Sequence, residues 1–177
     1  MNDENKSQGS EGIGKLMTFM AWIGLLAFLT LIFNNLLLEQ YNPNRNLDEQ
    51  LKSGEIPEVV LERNKQGHYL SEGRINRMPV VFLLDTGATD IAIPEVLADR
   101  LRLPRLGGGV SQTANGAVAV WKTRLDEVSI GNIRLHDVSA SILPSMGKDD
   151  AVLLGMSFLK RVDMLQQGNT LTLRKVQ

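Results

Sequence analysis

The chain reads as an all-β domain, a small barrel or sandwich with one or two short helices, preceded by a single transmembrane helix. Three observations predict this. From Gly67 onward, short alternating runs of apolar and polar residues are broken every few positions by turn formers, the spacing of strands in a compact β fold. Near the amino terminus, Leu16 to Phe33 runs without a charge, and Leu36-Leu37-Leu38 prolongs it beyond Asn34-Asn35. Hydrophobic residues make up 43% of the chain and charged residues 22%, the balance of a folded protein and not of a disordered one.

Residues 1–15 are polar, contain Gly9, Gly12 and Gly14, and read as a flexible tail. Residues 16–38 read as a membrane anchor, because a hydrocarbon core of about 30 Å takes ~20 apolar residues in helical form. In hydrocarbon the backbone of a lone segment is satisfied only within a helix. A cleaved signal peptide would have a shorter apolar region and a small-x-small end, whereas here E-Q-Y-N-P-N follows Leu38. Lys6 and Lys15 lie on the amino-terminal side, and Arg45 and Lys52 lie further out on the other. That asymmetry leans toward a cytoplasmic amino terminus and, in a bacterium, a single-pass inner-membrane protein with a periplasmic globular domain. Residues 39–66, polar with Pro43 and Pro57, read as a linker with a helical piece over Leu47–Lys52 and a strand over Val59–Leu61.

The domain proper is expected over 67–177. Candidate strands are His68–Ile75, Pro79–Leu84, Ala117–Leu125, Glu127–Ile130, Ile133–Leu135, Val138–Leu143 and Thr170–Lys175. Asn76-Arg77 and Gly131-Asn132 are the turns between neighbouring runs. Glu95–Arg102, opened by Pro94, and Met156–Arg161, following Gly155, read as short helices. No internal repeat is visible.

Composition excludes several functions. A formal net charge of -1 with no basic stripe gives no electrostatic footprint for nucleic acid. With no cysteine there is no disulfide framework, thiol nucleophile or thiolate zinc site. His68 and His136, the two histidines, lie far apart and form no local metal motif, so no metal or other cofactor is expected.

The segment that carries chemistry is Val80 to Asp90, V-V-F-L-L-D-T-G-A-T-D. An apolar strand delivers the Asp85 carboxylate into a desolvated place, Thr86 offers a short hydroxyl, and Gly87 permits a tight turn. Amide hydrolysis needs a base to activate water and an acid to protonate the leaving amine. Two carboxylates a few Å apart fill both roles, since like charges so close keep one proton between them. That titration belongs to the pair and not to either residue. Asp-Thr-Gly alone also fits a plain turn or cap. Its surroundings are more specific: the apolar lead-in, then A-T-D-I-A-I-P, and later A-V-L-L-G-M-S-F-L over Ala151–Leu159.

Together these resemble the retropepsin-like aspartic proteases, whose motif is an apolar strand, D-[TS]-G-A-[TSD] and a second apolar strand. Leu153-Leu154-Gly155 is similar to the family's late apolar-apolar-Gly run beside the active-site loop. Between the two lies a small-residue polar stretch, Gly107-Gly108-Gly109 and Ser111 to Val118, where the family carries a flap over the substrate. From Gly67 to Val176 the order of landmarks resembles the bacterial membrane-anchored, single-domain members. The resemblance implies a closed β-barrel, a homodimer with Asp85 from each chain as the catalytic pair, and a protein or peptide substrate. It implies loop support from Thr86, Gly87, Ala88, Thr89, Leu154 and Gly155, and flap contacts from Thr113, Ala114, Asn115 and Gly116.

Two other classes compete. A fold of this kind can persist as a peptide-binding or scaffolding module that cleaves nothing, because fold does not dictate function. Aspartyl-phosphate chemistry wants a further carboxylate beside the nucleophile for Mg²⁺, and position 87 is glycine. No motif links His68 or His136 to a nucleophilic serine.

Overall fold

The computed structural model describes residues 7–45, 47, 57–113, 116–147 and 151–176, which fall into two compact units divided between Gln40 and Tyr41. The first unit is essentially one helix, α1 (Ser7–Tyr41). It begins inside the stretch read as a tail, since adding a residue to an existing helix costs far less than starting one. From Gly14 to Tyr41 it is 28 residues long, apolar and exposed throughout. At 1.5 Å per residue that stretch measures about 42 Å, enough to cross a bilayer. Two of its hydroxyls bond back to the helix: Thr18 and Thr30 donate to the Gly14 and Leu26 carbonyls at 2.9 and 2.8 Å.

The second unit is β. Its strands are β1 (Glu58–Glu62), β2 (Leu70–Ile75), β3 (Met78–Leu84), β4 (Ile91–Pro94), β5 (Gly107–Thr113), β6 (Gly116–Ile130), β7 (Ile133–Leu143), β8 (Val152–Leu154), β9 (Val162–Gln167) and β10 (Thr170–Lys175). Two short helices, α2 (Glu95–Arg100) and α3 (Met156–Leu159), punctuate them. Each helix is a little shorter than the sequence pattern suggests. The two long strands β6 and β7 each merge a pair of expected runs.

Strand pairing closes a six-stranded barrel in the order β2-β3-β8-β4-β7-β6, with β6 returning to β2 through Arg74↔Ser129 and Ile75↔Val128. Gly73 marks the seam: a Cβ there would meet the Phe82 ring at 2.7 Å and would also run into the Ser129 carbonyl. The β2–β3 turn is Asn76-Arg77, with φ of 47° and 71°, the left-handed pair that a tight hairpin needs. Asn76 is also pinned from outside, its Oδ1 accepting from Glu127 N–H at 3.1 Å. Gly131, at φ 51°, turns β6 into β7. Inside, Phe82, Ile75, Ile91, Ile93, Leu125, Leu154 and Phe158 are fully buried. Each such side chain contributes about 1.5–3 kcal/mol on leaving water.

A second, three-stranded sheet runs β1-β10-β9, and its Leu61, Leu171 and Leu173 join the same core. The stretch read as a linker therefore contributes a strand, together with buried Asn42, Asn44 and Leu47. The helical piece expected over Leu47–Lys52 lies, beyond Leu47, outside the described residues.

Candidate active site

The position of Asp85 follows from an unusual strand order. Strands β3 and β4 are consecutive in sequence but not neighbours in the barrel, because β8 lies between them. β3 runs parallel to β8, and β4 runs antiparallel to it. The connection from Asp85 to Asp90 must therefore cross the end of β8, where Leu154 and Gly155 lie.

Five hydrogen bonds hold that crossing. Asp85 N–H donates to the Leu154 carbonyl at 3.2 Å, Met156 N–H to the Ala88 carbonyl at 2.8 Å, and Ser157 N–H to the Thr89 carbonyl at 2.9 Å. The buried Ser157 hydroxyl accepts from Ile91 N–H at 3.1 Å and donates to the Ser139 carbonyl at 2.7 Å. Gly155 is where the two segments touch. A Cβ on it would lie 2.6 Å from the Ala88 carbonyl oxygen and would also overlap the Asp90 carbonyl. No residue with a side chain fits there without moving backbone.

The carboxylate itself is half-buried and oriented from one side. Asp85 Oδ1 accepts from Gly87 N–H at 2.8 Å, closing a local turn, and Ala88 N–H bonds the Asp85 carbonyl at 3.2 Å. Among the described residues no other hydrogen bond reaches this carboxylate. Thr86, Gly87 and Thr89 are exposed, so the loop presents its polar groups outward. Thus Asp85, Thr86, Gly87, Ala88, Thr89, Leu154 and Gly155, seven residues read from sequence as one site, do come together.

The flap-like hairpin is β5 paired to β6, projecting beyond the ring, with Thr113 opposite Gly116 at its outermost described rung. Gly116 holds φ of 109°, a conformation that a side chain would strain. Ala114 and Asn115 lie outside the described residues. Val118 and Val120 on this hairpin pack with Ala92, Leu143, Met146 and Leu153 in an apolar cluster separate from the main core. The registers Leu83↔Leu153, Leu153↔Ala92, Ala92↔Ser141 and Ser141↔Lys122 string one row across the sheet, from two residues before Asp85 to the base of the hairpin.

At the far end of that row the chain carries a polar cluster that its sequence did not disclose. Lys122 Nζ donates to Asp90 Oδ2 at 2.9 Å and to Ser141 Oγ at 3.0 Å, and Ser141 Oγ donates to the same Asp90 oxygen at 3.2 Å. These residues are far apart in sequence, so only the strand register could have revealed them. The Lys122 side chain is 48% exposed. Lys122→Met is accordingly expected to change unfolding free energy by less than about 1 kcal/mol, read from urea midpoints. His136 is exposed and bonds the Asp126 carbonyl, and His68 is exposed; neither approaches the Asp85 loop in these contacts. No group of acidic or histidine side chains that could hold a metal occurs among the described residues.

A family model described as gag-polyprotein putative aspartyl protease matches residues 71–161, from β2 through α3. The chain belongs to this family. Its fold is retropepsin-like: a retropepsin-like aspartic protease from Rickettsia conorii matches with a TM-score of 0.55 at 27% identity, covering 68% of this chain and 92% of that one. An uncharacterized protein from the cobV 5' region of Sinorhizobium sp is 35% identical over 137 residues, 76% of this chain and 58% of that protein. An uncharacterized protein of Rickettsia prowazekii is 32% identical over 116 residues, 62% of this chain and 47% of its own length. The retropepsin-like chain thus spans about half the length of these two relatives. The matched family region holds every residue of the Asp85 crossing described above.

Proposed function

We propose that the protein is an aspartic endopeptidase of membrane surfaces, active as a homodimer in which each copy supplies one Asp85. The observation that carries the reading is a half-site held by hydrogen bonds that, among the described residues, offers one available carboxyl group. Asp85 is anchored through its backbone and one carboxylate oxygen, yet acid–base hydrolysis of an amide asks for two carboxyl groups. The other carboxylate of the loop, Asp90, is taken up by Lys122 and Ser141. A second copy brings the missing group without any new sequence.

In that pair one carboxylate takes a proton from water as its oxygen attacks the scissile carbonyl carbon. The other carboxyl, protonated, supports the carbonyl oxygen as it gains charge. Collapse of the tetrahedral species breaks the C–N bond, and a proton passes to the departing amine. Val118, Met146 and Leu153, half-buried against Val120 and Leu143, would give a peptide side chain a surface to pack on. The β5–β6 hairpin is the element that would cover it. Helix α1, apolar and exposed over 28 residues, is read as the anchor, with the barrel on the periplasmic side of a bacterial inner membrane. Confinement to a membrane raises the effective concentration of the halves.

Mixing tests the shared site. Wild-type chain and Asp85→Asn chain are co-reconstituted at fixed total amount, and casein hydrolysis is followed as the wild-type fraction falls. Activity is expected to fall as the square of that fraction. A linear fall would mean that one chain carries a complete site.

A further inference from the structure

We infer that the active site works within about one barrel's width of the bilayer, so that its substrates are polypeptides whose cleavage site lies close to a membrane surface. This rests on reading α1 as the anchor and Asp85 as catalytic, and it adds what those readings leave open: how far the site can reach.

The observation is a clasp at the start of the barrel. Asn44 is 4% exposed, and its side chain uses every group it has. Nδ2 donates to the Glu62 carbonyl at 2.9 Å and to the Leu70 carbonyl at 2.7 Å, while Oδ1 accepts from Glu62 N–H at 2.7 Å. The amide stands in for a strand partner on the edge of β1 away from β10 and at the end of β2 that β6 does not reach. Its neighbours are held too. Asn42, also 4% exposed, accepts from Asn44 N–H at 3.0 Å, and Asn64 Nδ2 donates to the Tyr41 carbonyl at 3.0 Å. Leu47 belongs to the barrel core. The chain thus enters the folded unit at Tyr41, the same residue at which the apolar helix ends.

Reach follows from chain length. A free coil over positions 39–66 would span ~30 Å root-mean-square and up to ~95 Å when taut. With Tyr41, Asn42 and Asn44 held to the barrel, the tether ends there, and the reach of the site is set by the barrel itself. A domain of this size has a radius of gyration of ~14 Å, hence a width of roughly 35–40 Å. The limit is one of tether length and holds for any angle between helix and barrel.

The test uses the full chain in proteoliposomes with a casein segment as reporter. The segment is offered free in solution, on a single-pass peptide about ten residues from the bilayer, or on the same peptide beyond a stiff (EAAAK)-type spacer of ~60 residues, which holds it on the order of 90 Å away. The near reporter is expected to be cut at least ~10-fold faster than the far one, because a tether that cannot span a gap gives almost no effective concentration. Inserting ~60 Gly/Ser residues between Gln40 and Tyr41 leaves the clasp intact and is expected to bring far-reporter cleavage to within ~3-fold of near. Equal cutting of near and far reporters by the wild-type chain would overturn the inference with both underlying readings standing. No cleavage of the free, near or far segment would overturn the catalytic reading, and failure of the chain to float with vesicles would overturn the anchor.

Discussion

Asp85→Asn is expected to lower peptide hydrolysis by at least ~10²–10⁴-fold, the contribution of a positioned acid–base group. The unfolding midpoint is expected to stay within about 1 kcal/mol of the wild type, since only one modest hydrogen bond is at stake. The two halves of this expectation come from different atoms. Chemistry needs a group that can take up and give back a proton, and a carboxamide does neither near neutral pH. The loop needs an acceptor for Gly87 N–H, and the amide oxygen of asparagine can replace Oδ1 at 2.8 Å. Asp85→Ala removes both and is expected to be less stable than the Asn variant, which separates the two roles. Unchanged hydrolysis by a folded Asp85→Asn protein would remove Asp85 from the chemistry altogether.

Gly155→Ala is the second large effect. One methyl group is added, yet it has nowhere to go, because the Ala88 carbonyl oxygen would lie 2.6 Å away and the Asp90 carbonyl would overlap it. Both obstacles are backbone held by hydrogen bonds, so relief means parting β8 from the Asp85 loop. A loss of about 2–4 kcal/mol in stability is expected, at the upper end for overpacking. Hydrolysis should fall with it even under conditions where the protein remains folded, since the loop that aims Asp85 has moved. Gly107→Ala is the control: nothing lies within 4 Å of a Cβ there, and its effect on stability is expected within about ±0.5 kcal/mol. Equal urea midpoints for the two variants would show that the close approach is not what Gly155 is for.

The segments of the candidate site were legible in the sequence because each is local. Asp85-Thr86-Gly87 follows an apolar strand directly, and Leu154-Gly155 precedes a short helix directly, so each half is a contiguous signature. The hairpin turns at Asn76-Arg77 and Gly131-Asn132 were legible for the same reason. What escaped was long-range. β9 has one buried residue, Val162, followed by five exposed ones, so no alternation marks it as a strand; its pairing with β10 makes it one. β5 opens on three glycines, which have little strand preference of their own, and forms because β6 offers a partner. The stretch from Asn42 to Leu47 looks like a polar linker because asparagine usually marks loops. Asn44 is buried instead, since its amide satisfies backbone groups of Glu62 and Leu70 that lie far along the chain. The Lys122–Asp90–Ser141 cluster needs three strands in register before it exists.

The insertion of β8 between β3 and β4 also sets an order in time. Asp85 and the Leu154 carbonyl that steadies it are separated by most of the barrel's sequence, and β1 waits still longer for β10. A ribosome adding 5–20 residues per second needs on the order of 3–14 s to cover the stretch from Asp85 to Leu154. Throughout that interval the chain already contains its acidic residue but has no crossing to aim it. A nascent polypeptide therefore holds Asp85 without the backbone that aims it until β8 has been made.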